Sequence, residues 1–444
     1  MRSTREQRAW YWYDWANSAF YTTTATVLIS PYLVSLATNA ACPGLDSGQC
    51  SRPVQLLGFV PVLPGALPSL LATISTLVSA VVLLFVGAAA DRSAHPHRWL
   101  GATAWIGAAA GSLMFFLMGS DWELGAWLMV ISLIAFGASI VVYDSMLVRI
   151  AGPDERDRVS SRGWAWGYVG GGLLLALNFG LLTFSPAFGI DKAMAVRLCL
   201  LSAGVWWAGF TFIPVLGLRG LPREVPAEVA GRNPFRQLAA TFAEMRRYPQ
   251  TLAFLLAFLF YNDGIQTVIV SSSVYAIREL GIDESLVLAT FLLTQFVAIA
   301  GALGFGRVAA RIGAKKTVLI GIVIWLGVVL VGFGIPSGVV GALFGLGAAI
   351  GVVMGGTQAL SRSMYSQLIP KGRESEYFSF YQAMERGTSW LGTLTFGLVF
   401  QFTESYRLAL VALIVFFVVG GILLARVDMR KGIIDAGNVL PKVL

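Results

Sequence analysis

The chain has 444 residues, of which 56% are hydrophobic and only 13% are charged, and its mean hydropathy is +0.72. A soluble globular protein has about 25% charged residues, so this composition excludes a soluble domain and predicts a membrane protein. The net charge of +8 does not indicate a nucleic-acid partner, because the cytoplasmic loops of membrane proteins are rich in lysine and arginine.

Twelve apolar runs are each long enough to cross a lipid bilayer, which takes about 20 residues. They fall into two groups of six, separated by a polar stretch. We therefore expect an all-α polytopic membrane protein with two six-helix bundles, 1–218 and 251–444, the second carrying a short cytoplasmic tail. A cytoplasmic linker, 219–250, joins them, and residues 235–248 within it are expected to form an amphipathic surface helix. The predicted spans are 11–36, 66–90, 99–118, 124–149, 163–184, 197–218, 251–275, 287–306, 317–334, 338–360, 377–402 and 407–425.

Lysine and arginine are distributed unevenly between the loops. With the N-terminus inside, 26 of the 32 cations, Arg362 among them, lie in cytoplasmic segments, five lie outside, and Arg386 lies within a span. The positive-inside rule then places both termini in the cytoplasm. We expect a multi-pass protein of the cell membrane.

The three cysteines exclude a CxxC metal or redox framework. Cys42 and Cys50 fall in a long outer loop, on the oxidising side, whereas Cys199 lies within a span. We expect a disulfide between Cys42 and Cys50, and the alternative is two free thiols in a flexible loop.

The first span contains Asp14 and Asn17, which share one face of a helix. The depth of this pair is open, because aromatic residues cluster around it and such a cluster is typical of the membrane interface. If the helix begins near Thr4, Asp14 lies two to three turns inside. If the cluster marks the interface, Asp14 is merely solvated.

The seventh span repeats this pattern with Asp263 and Gln266. Asp263 lies about 18 Å along a helix that begins at Thr251, close to the middle of a bilayer core of about 30 Å. We expect Asp263 and Gln266 to face a polar cavity, where Asp263 binds a substrate amine or a coupling proton. The alternative is a purely structural hydrogen bond between helices.

The eleventh span contains the adjacent charges Glu385 and Arg386. The guanidinium of Arg386 suits a carboxylate, either on a substrate or on a side chain such as Asp263. The alternative is an internal ion pair that only joins helices.

Four further charged residues lie near the inner ends of spans and are expected to act in gating: Asp91, Arg92, Asp144 and Arg362. A carboxylate at a helix C-terminus opposes the helix dipole. Asp91 should therefore reach toward the N-terminus of another helix or toward an arginine.

Other chemistry is not indicated. The Gly-rich runs lie within apolar spans and lack a preceding strand, so they indicate close helix packing and no nucleotide site. His95 and His97 lack further metal ligands. We find no catalytic Ser/His/Asp set and no Walker sequence, so we expect neither an enzyme nor an ATP-driven pump, and no metal or cofactor.

Four motifs resemble a known family: residues 13–20 (YDWANSAF), 163–170 (GWAWGYVG), 261–266 (YNDGIQ) and 355–363 (GGTQALSRS). They are similar to the autophagy-related vacuolar effluxer branch of the major facilitator superfamily. The resemblance implies twelve helices in two bundles and secondary transport by alternating access, with amino-acid efflux the activity of the vacuolar members. Arg386 matches a basic position of the family's eleventh helix, but the superfamily's loop signature is matched only by Gly87, Asp91 and Arg92, and Ala310 replaces the corresponding second-half Asp.

We therefore expect a secondary active transporter of small polar solutes, with amino-acid efflux one candidate activity. Its substrate site would contain Asp14, Asn17, Asp263, Gln266 and Arg386, near the midplane between the bundles. The expected partners are a small-molecule substrate, the lipid bilayer and, as an open alternative, a coupling proton, and the chain is expected to be a monomer. The rival hypothesis is a receptor or assembly scaffold that retains the fold without transport.

Overall fold

The computed structural model describes residues 3–45, 50–221, 244–387 and 390–444. Its one described sheet is a two-stranded antiparallel hairpin, β1 (Val54–Leu56) and β2 (Val60–Val62), in which Gln55 pairs with Pro61. The first-half helices are α1 (Arg5–Phe20), α2 (Ile29–Ala41), α3 (Leu67–Arg92), α4 (Pro96–Leu113), α5 (Trp122–Ser145), α6 (Leu147–Ile150), α7 (Arg156–Phe184) and α8 (Lys192–Gly217). The second-half helices are α9 (Pro249–Val274), α10 (Glu284–Ile312), α11 (Ala314–Gly334), α12 (Val340–Gln367), α13 (Glu374–Gly387), α14 (Trp390–Thr403), α15 (Tyr406–Ala412), α16 (Ile414–Arg426) and α17 (Met429–Asp435).

Within the described ranges, 11 helical segments are long and apolar enough to cross a membrane. They correspond to eleven of the twelve predicted spans. The remaining one, the eleventh predicted span at 377–402, corresponds to α13 and α14, which have 14 residues each and between which residues 388 and 389 are not described. The chain is therefore the all-α, multi-pass membrane protein that its sequence predicts.

The first span begins earlier than its hydropathy suggests. Thr4 caps α1: its side chain accepts a hydrogen bond from the Gln7 backbone, and the Gln7 side chain accepts one from the Thr4 backbone. A π-helical stretch, Tyr21–Leu28, then joins α1 to α2. Asp14 is consequently nine residues, about two and a half turns, inside the span.

The aromatic residues around Asp14 do not all form an interfacial belt, as one interpretation of the sequence suggested. Trp10 and Tyr13 are fully buried, and the ring of Trp10 stacks on Tyr143 with 4.3 Å between centroids. This face of α1 packs against α5, which is why these large rings are removed from the interface.

The tenth span also extends further than predicted. α12 continues to Gln367, so Arg362 lies inside a helix and is buried, and it is not part of a connecting segment between spans. Hydropathy falls at Ser361 and Arg362. The Ser361 hydroxyl is bonded to Thr357 and Tyr261 of its own half, whereas Arg362 is bonded to residues of the other half. The predicted surface helix 235–248 lies largely outside the described residues.

Buried apolar side chains form separate cores in the two halves of the chain. One core contains residues from Met245 to Ile433, joined by Tyr168 from the first half. Two further cores contain only first-half residues, from Ala9 to Leu218 and from Leu28 to Leu200. Each half is therefore held together mainly by its own side chains, which suits two units that move against each other.

The described part of the loop between α2 and α3 packs on the ends of the first-half helices. Val54 and Val62 of the hairpin are buried in the same core as Leu33 of α2. The structure joins Cys42 and Cys50 in a disulfide with their Cα atoms 5.8 Å apart, while Cys199 is a buried free thiol. The loop thus forms a packed cap on one side of α2.

Candidate functional site

A cavity of about 650 Å³ lies between the two halves. On α1, the π-helical stretch and α2 its lining residues run from Asp14 to Ser30, and on α3 they run from Ala72 to Ser79. These positions extend from the middle of the helices toward the ends remote from both termini. At the opposite ends the two halves touch, so the cavity opens away from the side that holds the termini.

The cavity wall is polar at its closed end. Five charged residues line it in the described part of the chain: Asp14 on α1, Asp144 on α5, Arg362 on α12, and Glu385 and Arg386 on α13. The amide side chains of Asn17, Asn262, Gln266, Gln358 and Gln382 add hydrogen-bonding groups. These charged and amide groups offer ion-pair and hydrogen-bond partners to a polar solute at the closed end.

Arg362 joins the two halves at the closed end. It lies on α12, yet its guanidinium donates to Asp14 Oδ2 (3.3 Å) and Asp144 Oδ1 (3.1 Å) of the first half. It also donates to the side chain and the backbone carbonyl of Ser160 on α7, and it lies 4.7 Å from the centre of the Trp10 ring. This cation is therefore buried with two carboxylates, and Tyr143 donates a further hydrogen bond to Asp14 Oδ2 (2.6 Å). We call Arg362, Asp14, Asp144 and Tyr143 the inner lock.

Gln382 connects the inner lock to the charged pair on α13. Its amide nitrogen donates to Asp144 Oδ2 (3.1 Å) and to Glu385 Oε2 (2.9 Å). Its amide oxygen accepts a hydrogen bond from Arg386 Nε (3.3 Å). Because Gln382 is buried and uses both ends of its amide, a change at Arg386 or Glu385 can be transmitted to Asp144.

Arg386 occupies the cavity wall without an ion pair of its own. Besides Gln382, its guanidinium lies 4.9 Å from the centre of the Phe136 ring on α5. Among the described residues no carboxylate oxygen is within 4.0 Å of its nitrogens. Its remaining N–H groups are thus available to a ligand carboxylate, which an arginine can bind through two parallel hydrogen bonds.

Four of the five residues predicted to bind substrate line this cavity, and Asp263 does not. Asn262 and Gln266 line it, but Asp263 is turned about 100° from Asn262 around α9. Its Oδ2 accepts a hydrogen bond from the backbone N–H of Gly392 on α14 (2.7 Å). The expectation that Asp263 and Gln266 face the cavity together was therefore wrong for Asp263, because the packing of α9 against α14 fixes the rotation of the helix.

Asp91 makes a second connection between the halves. It lies at the end of α3, and its carboxylate accepts hydrogen bonds from the backbone N–H groups of Ser375 (3.0 Å) and Glu376 (2.7 Å). These are in the first turn of α13, so Asp91 interacts with the positive end of a helix in the other half. The neighbouring Arg92 donates to the Ala88 carbonyl of its own helix (3.1 Å).

Several further hydrogen bonds complete the closure. Ser160 donates to the Ala359 carbonyl (2.7 Å), and Arg156 donates to the Ser366 carbonyl (2.8 Å). Ser375 and Ser145 are joined through their hydroxyls (2.9 Å). All of these contacts lie on the side of the termini, so the described conformation is closed there and open on the opposite side.

Sequence reasoning did not find Gln382, Tyr143 or Ser160. A neutral polar residue within an apolar span is common, and none of the three carries a charge that would single it out. For Gln382 the spacing was a signal, because Glu385 and Arg386 each lie about one helical turn from it on α13.

Known proteins resemble this chain along nearly its full length. A family model described as "Vacuole effluxer Atg22 like" matches residues 2–437. An uncharacterised MFS-type transporter of Bacillus subtilis, YxiO, is 29% identical over 431 residues, covering 96% of this chain and 95% of the relative. Autophagy-related protein 22 of Pyricularia oryzae is 24% identical over 543 residues, covering all of this chain and 78% of the relative.

Solved structures of the same fold include transporters with different cargoes. A bacterial homologue of the iron transporter ferroportin in an outward-facing state has a TM-score of 0.68 at 13% identity, covering 95% of this chain and 99% of that one. The proton:xylose symporter XylE has a TM-score of 0.69 at 12% identity, with 96% of each chain covered. These likenesses confirm the predicted fold with twelve transmembrane helices.

Proposed function

Because the chain belongs to the Atg22-like vacuole effluxer family of the major facilitator superfamily, we propose that it transports small zwitterionic solutes, amino acids among them, by alternating access. The family resemblance inferred from four sequence motifs is confirmed. Proteins of this superfamily are transporters and not enzymes, which also agrees with the sequence.

The observation that supports this substrate class is the position of Arg386. Its guanidinium lines a cavity between the two halves, and no carboxylate of the described residues forms an ion pair with it, whereas the buried Arg362 is paired with two carboxylates. A cation partly shielded from water is unfavourable without an anionic partner, which a ligand can supply. A substrate carboxylate would meet that need.

The substrate amine requires a carboxylate in the same cavity. Asp263 was the candidate from the sequence, but Asp14 and Glu385 line the cavity instead, and Glu385 adjoins Arg386. We assign the amine to this acidic side of the wall. Asn17 and Gln266, from the first helix of each half, would hydrogen-bond the remaining polar groups. The cavity volume of about 650 Å³ is within the range of ~300–1,000 Å³ common for small-molecule sites.

Alternating access would follow from the contacts between the halves. Residues 1–218 and 251–444 would rock about the cavity, joined by the linker 219–250. In the described conformation the inner lock and Asp91 close the side of the termini. Opening that side requires Arg362 to leave Asp14 and Asp144, and Asp91 to leave α13. The excess of cations on this side supports a cytoplasmic position for both termini in the cell membrane.

Flux measurements test the proposal. The purified full chain is reconstituted in proteoliposomes, and uptake of each radiolabelled L-amino acid is compared with uptake of a neutral sugar. We expect saturable uptake of at least one amino acid and none of the sugar. The matched control is Arg407→Gln, which removes an arginine on the outer side, paired with Glu279, and should transport normally. Absence of any amino-acid flux from folded protein would contradict the proposal and favour a receptor or scaffold.

A further inference from the structure

Asp263 forms a small polar site outside the cavity. It is 1% exposed, and its Oδ1 atom has no hydrogen-bond partner among the described residues. One turn further along α9, the hydroxyl of Thr267 is also fully buried and without a partner in that part of the chain. Residues four apart on a helix lie on the same face, so both oxygens point toward α14.

Close packing encloses this pair. A Cβ atom placed on Gly392 would collide with the Thr267 hydroxyl and would lie 3.2 Å from the Asp263 carbonyl oxygen. Gly392 therefore allows the start of α14 to approach α9 directly. The Gly392 N–H donates a hydrogen bond to Asp263 Oδ2 (2.7 Å), which leaves Oδ1 without a donor among the described residues.

Among the described residues, no cation pairs with this carboxylate. The titratable side chains of its own helix and of the packed helices α12 and α13 are Tyr261, Arg362, Tyr365, Glu374, Glu376, Tyr377, Tyr381, Glu385 and Arg386. The charged ones nearest in depth, Arg362, Glu385 and Arg386, line the cavity, which Asp263 does not. The described side chains of α14 include no titratable group, and those of α11, α16 and α17 lie toward the termini: Lys315, Lys316, Arg426, Arg430, Lys431 and Asp435. Within the described residues, none of the cations comes within 4.0 Å of Asp263. An unpaired buried carboxylate is unfavourable and must take up a proton or a cation.

We propose that the Asp263 carboxyl, supported by the Thr267 hydroxyl, binds the proton that is coupled to the transport cycle. Two side-chain oxygens suit a shared proton, whereas hard metal cations such as calcium take about six or more oxygen ligands. Protonation forms an O–H bond at Oδ1 with a proton from the solution and removes the negative charge. The inference rests on the transport function proposed above and assigns the coupling ion to a site separate from the substrate.

The position of the site explains how a proton would affect conformation. α13 and α14 both belong to the predicted eleventh span. Asp91 from the other half accepts hydrogen bonds from the first turn of α13, and Asp263 accepts one from Gly392 in the described part of α14. Loss of charge at Asp263 weakens its hold on α14, and α13 carries Arg386 and Gln382. Acidification should therefore disfavour the described conformation.

A cysteine reporter measures this without any substrate. Thr26 lines the exposed part of the cavity, so Thr26→Cys reports whether that side is open. The full chain in detergent is labelled with a thiol reagent at several pH values, and each rate is divided by that of Ser120→Cys, an exposed position in an outer loop. This ratio cancels the pH dependence of the thiol chemistry.

We expect the ratio to fall about tenfold on acidification, because the hydrogen bond from Gly392 to Asp263 loses the assistance of the negative charge. Asp263→Asn, which imitates the protonated carboxyl, should give a low ratio at every pH. Asp283→Asn is the matched control: Asp283 is an exposed carboxylate at the start of α10, and this variant should behave as the parent.

Three results would overturn the proposal. The first is a labelling ratio that does not change with pH in the parent protein, which refutes the proposal even if no Asp263 variant folds. The second is a pH dependence of the ratio that persists in Asp263→Asn. The third is a ratio that responds to sodium and not to pH, with the sodium response absent in Asp263→Asn. Amino-acid flux in proteoliposomes is measured separately, so a flat labelling profile with normal flux refutes only the proton site. A pH-dependent profile without flux refutes only the substrate class.

Discussion

Replacement of Arg362 by glutamine tests the contact that closes the side of the termini. Arg362 is 3% exposed, and its guanidinium lies 3.3 Å from Asp14 and 3.1 Å from Asp144. The substitution leaves two buried carboxylates without their cation, and loss of one partner from a buried ion pair costs about 3–5 kcal/mol. Because the contact joins the halves, this cost applies only to conformations in which they touch there.

A cost of about 3 kcal/mol changes the ratio of two conformations by roughly a hundredfold, since each ~1.4 kcal/mol is a factor of ten. Two reporters measure the change. Thr26→Cys lies in the open part of the cavity, and Ser145→Cys replaces a fully buried serine where the halves meet. In the Arg362→Gln background we expect slower labelling at Thr26→Cys and faster labelling at Ser145→Cys.

The control for this experiment is Arg407→Gln. Arg407 lies 2.7 Å from the partly exposed Glu279 and also donates to the Phe333 and Ile335 carbonyls. All of these partners are in the second half, so their loss does not favour either arrangement of the two halves. Both reporters should label as in the parent. Should Arg362→Gln fail to fold, the addition of Asp14→Asn and Asp144→Asn removes the unpaired charges and should restore it. Unchanged labelling at both reporters in folded Arg362→Gln would refute the role of the inner lock.

Three further predictions follow from single contacts. Asp91→Asn weakens the contact with the start of α13. Loss of a helix cap costs about 1 kcal/mol, so the labelling ratio of the same two reporters should shift roughly fivefold. An unchanged ratio would count against a gating role of Asp91. Gln382→Glu places a third acidic side chain between Asp144 and Glu385, which Gln382 bridges. The midpoint temperature of thermal unfolding should therefore fall at neutral pH and recover in acid. An equal fall at both pH values would indicate a packing defect. Mass spectrometry without reduction should find Cys42 joined to Cys50 and Cys199 as a thiol, and alkylation of Cys42 and Cys50 in the native protein would exclude the disulfide.

The number and order of spans could be predicted from hydropathy because each span must bury about 20 residues in lipid. The residues at which the spans begin and end were harder to predict. The capping box at Thr4 and the polar end of α12 lie outside the apolar runs, and only tertiary contacts show that the helices continue through them. Arg362 is the clearest example: its polarity suggested a loop, but its partners lie on three helices of the other half.

The helix rotations could not be predicted either. Asn262 and Asp263 are adjacent in sequence, yet Asn262 lines the cavity and Asp263 contacts Gly392. A charged residue in a span predicts a polar environment but does not say which one. The apparent repeat of Asp14 and Asn17 by Asp263 and Gln266 therefore holds for the amides in the cavity and not for the two acids.

The recognition of a zwitterion by Arg386 is the central claim, and one competition measurement tests it most directly. For the amino acid with the highest uptake in proteoliposomes, inhibition of its flux is compared for the unlabelled amino acid, its amide, which lacks the carboxylate, and its N-acetyl derivative, which lacks the charged amine. The parent protein should be inhibited by the amino acid alone. Loss of a charge-assisted hydrogen bond costs about 1.5–3 kcal/mol, so Arg386→Gln should bind the amino acid roughly 10- to 100-fold more weakly and lose its preference over the amide. An amide that inhibits the parent as strongly as the amino acid, or an Arg386→Gln variant with unchanged preference, would contradict the account.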